Sequence, residues 1–268
     1  MAYVKCSVKM KHCIEVYKYF NGRIGKKILN IKTGGKTPIS QLKYQDKKAE
    51  RIVRWKLNEN FVKGDMLITL TYPKIVSRYT AKDNMKLFLM NLRRFYKRAG
   101  IELKYIYTAG VTSRGTIHFH MVLNAFDSAK IAELWNRITG GTANIKYLYG
   151  KTFKRLAAYL IKNSRETFYS INKVHAKRFC ASLNLKMPAI IKQIVGASIW
   201  REEVKALKGY SLDKNSIYNG YGWSDNGGSF LSCRVQSYTM YKDSDEIKTY
   251  YRKNTAIPEI PVANDMEN

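Results

Sequence analysis

Acidic residues are scarce in this 268-residue chain: 20 Asp and Glu stand against 48 Lys and Arg, a formal charge of +28 at pH 7. That imbalance is far beyond what solubility needs, and it excludes an acidic partner-mimic while predicting strong attraction to a polyanion. Histidine is scarcer still, with four residues. The four cysteines (Cys6, Cys13, Cys180, Cys233) are scattered, and none of their spacings fits a zinc pair, even with His12 beside Cys13. A chain of this length needs no disulfide staples, so they read as reduced thiols of a cytoplasm-like compartment. No run of about 18 apolar residues occurs, which excludes a helical membrane span. The N-terminus, Met1-Ala-Tyr-Val-Lys-Cys, lacks the apolar stretch of a secretory signal. No Gly-x-x-x-x-Gly-Lys-[Ser/Thr] phosphate loop is present, so the chain carries no helicase motor of that kind.

What is abundant is tyrosine, 20 residues, interleaved with the basic charge alongside four tryptophans. Rings beside Lys and Arg suit a single-stranded nucleic acid, whose bases stack while cations track its phosphates. Apolar content of 45% supports a globular core.

Turn residues and hydrophobic period divide the chain into three regions. Residues 1–62 form a basic extension, broken by Gly22, Gly25, Gly34, Gly35 and Pro38 and closed by a helix from Ser40 to about Asn58. Residues 63–170 read as strand (Met66–Tyr72), helix (to about Ala99), hairpin, helix (Ala129–Ile138), strand (Ala143–Tyr149) and helix (Thr152–Arg165). Thr80 with Asp83 resembles a capping box for the first of these helices, with Leu87, Leu89, Leu92, Phe95 and Tyr96 as its apolar positions. Its other face carries Lys82, Lys86, Arg93, Arg94, Lys97 and Arg98. Asp127-Ser128 caps the second helix, and Gly140 ends it. The order predicts an α+β fold, a central antiparallel sheet with helices packed on it. Residues 171–268 stay basic and aromatic. Tyr210 to Gly228 reads as a loop-rich surface, Ser229 to Tyr241 as a strand, and the tail from Ala256 as disordered. His175 lacks a partner at ligand spacing and reads as a surface or nucleic-acid contact.

The hairpin's second strand is Arg114-Gly115-Thr116-Ile117-His118-Phe119-His120-Met121-Val122-Leu123. Successive strand residues point to opposite faces, so His118 and His120 share one face, close enough to hold one metal ion. Ile117, Phe119 and Met121 share the other and can pack on a core. The same pattern also fits half-exposed histidines that merely pack or hydrogen-bond. In the last helix of this region, Tyr159, Lys162 and Asn163 fall on one face by their i+3 and i+4 spacing, and Leu156 and Leu160 anchor the helix. A phenol is a poor nucleophile at its free pKa of about 10. A neighbouring cation and a metal-polarised phosphate would both ease its attack.

These blocks resemble the HUH endonucleases, the rolling-circle replication initiators (Rep proteins) of phages, plasmids and related elements. Leu67-Ile68-Thr69-Leu70-Thr71-Tyr72-Pro73 is similar to the family's first motif, His118-Phe119-His120 to its histidine-hydrophobic-histidine motif, and Tyr159-Leu160-Ile161-Lys162 to its Tyr-x-x-Lys motif. They stand in the family's order across about Asp65 to Glu166. The segment from Ala197 through Asp213 also looks similar to the downstream part of such proteins. The resemblance implies a tyrosine nickase. His118 and His120 would bind Mn²⁺ or Mg²⁺, Tyr159 would attack a phosphate of single-stranded origin DNA, and Lys162 would place or neutralise that phosphate. The products would be a 5′-phosphotyrosine and a free 3′-OH, with a second transfer rejoining the strand. Arg114, Lys154, Arg155 and Arg165 are the candidate DNA contacts, and a host helicase and polymerase the implied partners. Imidazoles suit Mn²⁺ better than Mg²⁺, which prefers oxygen. Many members carry a Glu where this chain has Gly110, so a third ligand must come from elsewhere or be water: Asn163 is the first candidate and Thr112 the second. The alternatives are a non-catalytic basic nucleic-acid-binding protein, or an HUH transposase or relaxase. Transposases are usually much shorter, and relaxases place their tyrosine before the histidines.

Overall fold

Fourteen elements build two five-stranded sheets and four long helices in the computed structural model, which describes residues 2–20, 39–150, 152–169, 177–225 and 230–243. In chain order these are β1 (Ala2–Lys9), β2 (Cys13–Phe20), α1 (Ile39–Asn60), β3 (Met66–Thr71), α2 (Arg78–Arg98), β4 (Tyr105–Val111), β5 (Ile117–Leu123), α3 (Ser128–Thr139), β6 (Thr142–Tyr147), α4 (Lys154–Tyr169), β7 (Cys180–Ala181), β8 (Ala189–Gly196), β9 (Tyr210–Asp225) and β10 (Phe230–Lys242). One sheet runs β6-β3-β5-β4-β7 and the other β8-β1-β2-β10-β9. Every strand pair among the described residues is antiparallel. The α+β architecture expected from the element order is the one observed.

In the first sheet, alternation sorts β5 as its sequence predicts. Ile117, Phe119 and Met121 face a core completed by Ile68, Leu70, Tyr107 and Ala109, by Met85, Phe88, Leu92 and Tyr96 of α2, and by Ile131, Leu134 and Trp135 of α3. The opposite face is covered by α1 and α4. Val53, Leu57 and Phe61 at one end of α1, and Ala157, Leu160 and Ile161 of α4, close over Ile106 and Val122. Helices on both faces make a three-layer unit.

The second sheet joins segments that read as separate extensions. β1 and β2 precede the central region and β8, β9 and β10 follow it, yet they pair edge to edge in one sheet. α1 links the two sheets. While Val53 and Leu57 face α4, Trp55 packs on Cys6, Val8, Met10 and Cys13 beneath the second sheet. Arg54 reaches the buried Glu15 on β2 through Nε at 2.6 Å and Nη2 at 2.8 Å, and the Trp55 indole N–H donates to the same carboxylate at 2.9 Å.

Several local expectations are corrected. The cap of α2 is Ser77, whose Oγ accepts from the Thr80 N–H at 3.1 Å; Thr80 lies inside the first turn. A serine three residues before a threonine satisfies the same orphan amide, so the helix starts one residue after Ser77. Leu87 is exposed, and Met85 and Phe88 take the core positions. α1 begins at Ile39, one residue before Ser40. Tyr210 to Asp225 is a 16-residue strand rather than a loop. Its glycines accommodate neighbours: a Cβ on Gly220 would meet the Tyr218 ring, and one on Gly222 would fall 2.8 Å from Val235. Asp127 does cap α3, accepting from the Lys130 N–H, and Gly140 ends it at φ +67°. The glycine-rich stretch from Gly22 to Pro38, His175 and the tail from Ala256 lie outside the described residues.

Candidate active site

The face of the first sheet beneath α1 and α4 changes character along β5. At Val122 the cross-strand neighbours are Leu67 on β3 and Ile106 on β4, and the row is dry. One row on, His120 lies between Thr69 and Thr108. At the next, His118 lies between Thr71 and Gly110. β6 extends these two rows with Asn144 beside Thr69 and Thr142 beside Thr71. The apolar half anchors the helices, and the polar half forms a floor that opens to solvent.

The histidine rings meet edge to face with centroids 4.8 Å apart, as their shared face requires. His120 is buried at 4% exposure, and His118 is half-buried. Burial, and then the adjacent His118, push the His120 pKa down to about 4. Burial lowers that of His118 as well. Both imidazoles are therefore neutral at pH 7, the state in which a ring nitrogen can donate to a metal. His120 Nδ1 is 3.2 Å from the Thr69 hydroxyl, and His118 Nδ1 is buried with no hydrogen-bond partner.

α4 brings the third group. Leu160 and Ile161 bury in the core, which turns Tyr159 along the helix surface toward the polar floor. Its hydroxyl lies 3.2 Å from His120 Nε2 and 3.3 Å from Nδ1, with the two rings 4.8 Å apart between centroids. Burial raises the phenol's pKa, opposed by the Asn163 amide, so the group is protonated at neutral pH. Lys162 is exposed one turn on. Asn163 Nδ2 donates to the Tyr159 carbonyl at 3.0 Å, within its own helix. Thr112 sits in the exposed hairpin turn, and its Oγ1 accepts from the Thr116 N–H at 3.1 Å.

Arg114, Lys154 and Arg155 are exposed. Arg165 is also exposed, and its Nε pairs at 3.0 Å with the buried Asp46 of α1. The basic face of α2 lies across the sheet from the histidines, because α2 packs on the opposite layer.

Gly110 has a structural reason. A Cβ there would fall 2.5 Å from His118 Nε2 and 3.2 Å from the Asn163 backbone carbonyl. The missing side chain lets the His118 ring and α4 approach β4 together. Sequence reasoning placed the histidines and Tyr159 but missed Thr69 and Thr108 as cross-strand neighbours of His120. The alternation Leu67-Ile68-Thr69-Leu70-Thr71 puts both β3 threonines on one face, but only the register reveals which histidine each one meets.

For metal binding, the donors in hand are two neutral imidazoles, one with an unpartnered buried nitrogen. No group of three His, Cys, Asp or Glu side chains suited to a metal occurs among the described residues. This all-nitrogen pair fits a borderline divalent ion such as Mn²⁺ and is a poor match for Mg²⁺.

A three-layer α+β domain with two sheet histidines under a helix-borne tyrosine defines a Rep-type replication domain. Residues 65–167 match a family model described as a replication-associated protein of the ORF2 type, and this segment belongs to that rolling-circle replication initiator (Rep) family. The match spans nearly the same residues as the three sequence motifs. No curated protein and no solved structure matches the chain. Among the described residues, no helix is long and apolar enough to cross a membrane.

Proposed function

We propose that this replication-associated protein nicks and rejoins single-stranded origin DNA through Tyr159, starting rolling-circle replication. The observation that carries the reading is the Tyr159 hydroxyl seated against His120, which shares its strand face with His118. His118 and His120 would hold Mn²⁺, or less well Mg²⁺, with water or Asn163 as further ligands. A bound ion there would polarise the scissile phosphate. The phenol oxygen would attack phosphorus, forming a Tyr159–phosphate ester as the bond to the 3′ oxygen breaks and the phenol proton leaves to solvent. The released 3′-OH primes synthesis, and its later attack on the ester would restore the strand and the phenol. Lys162 would neutralise charge on the phosphate, while exposed Lys154, Arg155 and Arg114 would hold the backbone. Arg165 would add to this only from its ion pair with Asp46. Strand opening and extension would fall to a host helicase and polymerase in the cytoplasm.

The test is a covalent-adduct assay with single-stranded origin DNA and Mn²⁺, resolved on a denaturing gel. A protein–DNA band is expected for wild type and absent for Tyr159→Phe and His120→Ala. A band that persists in Tyr159→Phe assigns the nucleophile to another tyrosine. Salt-sensitive binding with no band under any condition would identify a non-catalytic DNA-binding protein.

A further inference from the structure

β8 is an outermost strand of the second sheet. β1 pairs along its whole length on one side, and no strand among the described residues lies on the other. Its sequence is Ala-Ile-Ile-Lys-Gln-Ile-Val-Gly, eight residues with no proline and a single charge. Ile190, Ile191 and Ile194 are exposed, the last at 67%, and Met187 and Ile199 just beyond the strand's two ends are exposed as well. Long, apolar, open edges are uncommon in proteins because their free N–H and C=O groups template pairing with another chain. Elsewhere this chain covers its apolar surface with helices, so this edge stands out.

We propose that β8 is a homodimer interface, pairing antiparallel with β8 of a second copy to make one continuous ten-stranded sheet. A two-fold axis normal to the sheet keeps each face continuous, so the residue on the axis lies opposite itself. Two registers give nearly full overlap of this strand. Centring on Lys192 sets two lysines directly opposite, which is destabilising. Centring on Gln193 sets two amides on the axis, each able to donate and accept. It also places Ile191 opposite Val195 on both sides of the axis and directs Ile199 toward Met187 of the second copy. The strand is thus self-complementary in one register and frustrated in the other, which selects a second copy as the occupant and Gln193 as the axial residue. The +28 charge on each chain opposes association, so the dimer tightens as salt screens that repulsion.

The test is sedimentation velocity on the full chain without DNA, from about 1 to about 100 μM, at about 0.1 M and about 0.5 M NaCl. Wild type is expected as a reversible dimer of the 31.0 kDa chain, tighter at high salt. Gln193→Lys, which places lysines on the axis, is expected to weaken dimerisation at least tenfold. Lys192→Gln is expected to leave it intact or tighten it. Both positions are exposed, and an unchanged thermal melt confirms that each variant folds. A wild-type monomer throughout, or a Gln193→Lys variant that dimerises as wild type does, overturns the proposal. So does a Lys192→Gln variant that loses the dimer.

Discussion

The Tyr159 hydroxyl sits over the His120 imidazole, 3.2 Å from one ring nitrogen and 3.3 Å from the other. The two nitrogen lone pairs diverge in the ring plane, so an oxygen nearly equidistant from both lies along neither. The contact therefore holds the phenol close while leaving the His120 Nε2 lone pair free. Tyr159→Phe should remove the nucleophile with little structural cost. We expect thermal stability within about 1 kcal/mol of wild type, the scale of one part-exposed hydrogen bond. A larger loss in a denaturant melt would mean that the phenol is structural.

Thr69 supplies the partner that orients His120. With Nδ1–H donating to the Thr69 hydroxyl, Nε2 is the nitrogen left to bind a cation. Thr69→Val keeps the shape but removes the acceptor, and should weaken Mn²⁺ binding roughly 10- to 100-fold in calorimetry. Thr69→Ser should restore most of it. Equal losses in both variants would point to packing by the threonine methyl.

Gly110→Ala should be damaging for a residue that changes by one methyl. The new Cβ would fall 2.5 Å from His118 Nε2, and the Asn163 carbonyl 3.2 Å away blocks retreat toward α4. We expect a loss of about 1–3 kcal/mol from overpacking, together with a displaced His118 ring seen by NMR. A stability equal to wild type would show that the ring moves freely.

Arg54 and Glu15 are both buried, with side-chain exposures of 9% and 4%. Arg54→Met leaves the Glu15 carboxylate in a dry layer with only the Trp55 and Tyr17 donors. Breaking one side of such a pair costs about 3–5 kcal/mol, which urea unfolding would measure. The double variant Glu15→Leu/Arg54→Met removes the stranded charge and should recover much of that loss. A double variant no better than the single one would show that the pair is worth more than an apolar replacement.

Cys13 should be unreactive in the native protein. It is 2% exposed, and burial, reinforced by Glu15, pushes its thiol up to about 12. At pH 8 almost none of it is thiolate, the form that reacts. Because the native pKa lies above the unfolded value of 9.0, stability from this group is complete below pH 9 and is lost as pH rises toward 12. Thiol labelling at pH 8 should modify Cys13 only after denaturant is added; rapid native labelling would contradict its burial.

Much of the site was legible because it depends on short-range periodicity. A two-residue repeat on one strand places His118 and His120 together, and a helical repeat groups Tyr159 with Asn163 whatever surrounds them. The α2 cap was misplaced by three residues because Ser77 and Thr80 offer the same chemistry, and only backbone geometry separates them. The Tyr210–Asp225 strand was hidden by its composition. Glycine and asparagine usually mark turns, but Gly220 and Gly222 are there to make room for Tyr218 and Val235. Pairing of β2 with β10 joins residues more than 200 positions apart, a separation that local patterning does not report.

The segment shared with the replication family starts at residue 65, after α1 has ended. Yet Val53, Leu57 and Phe61 of α1 complete the apolar layer beneath α4, and Arg54 anchors the same helix to the second sheet. Excising residues 65–167 would leave α4, and Tyr159 with it, resting on a half-uncovered wall. The stretch of sequence that the family holds in common is thus smaller than the unit that must fold for its tyrosine to stand over its histidines.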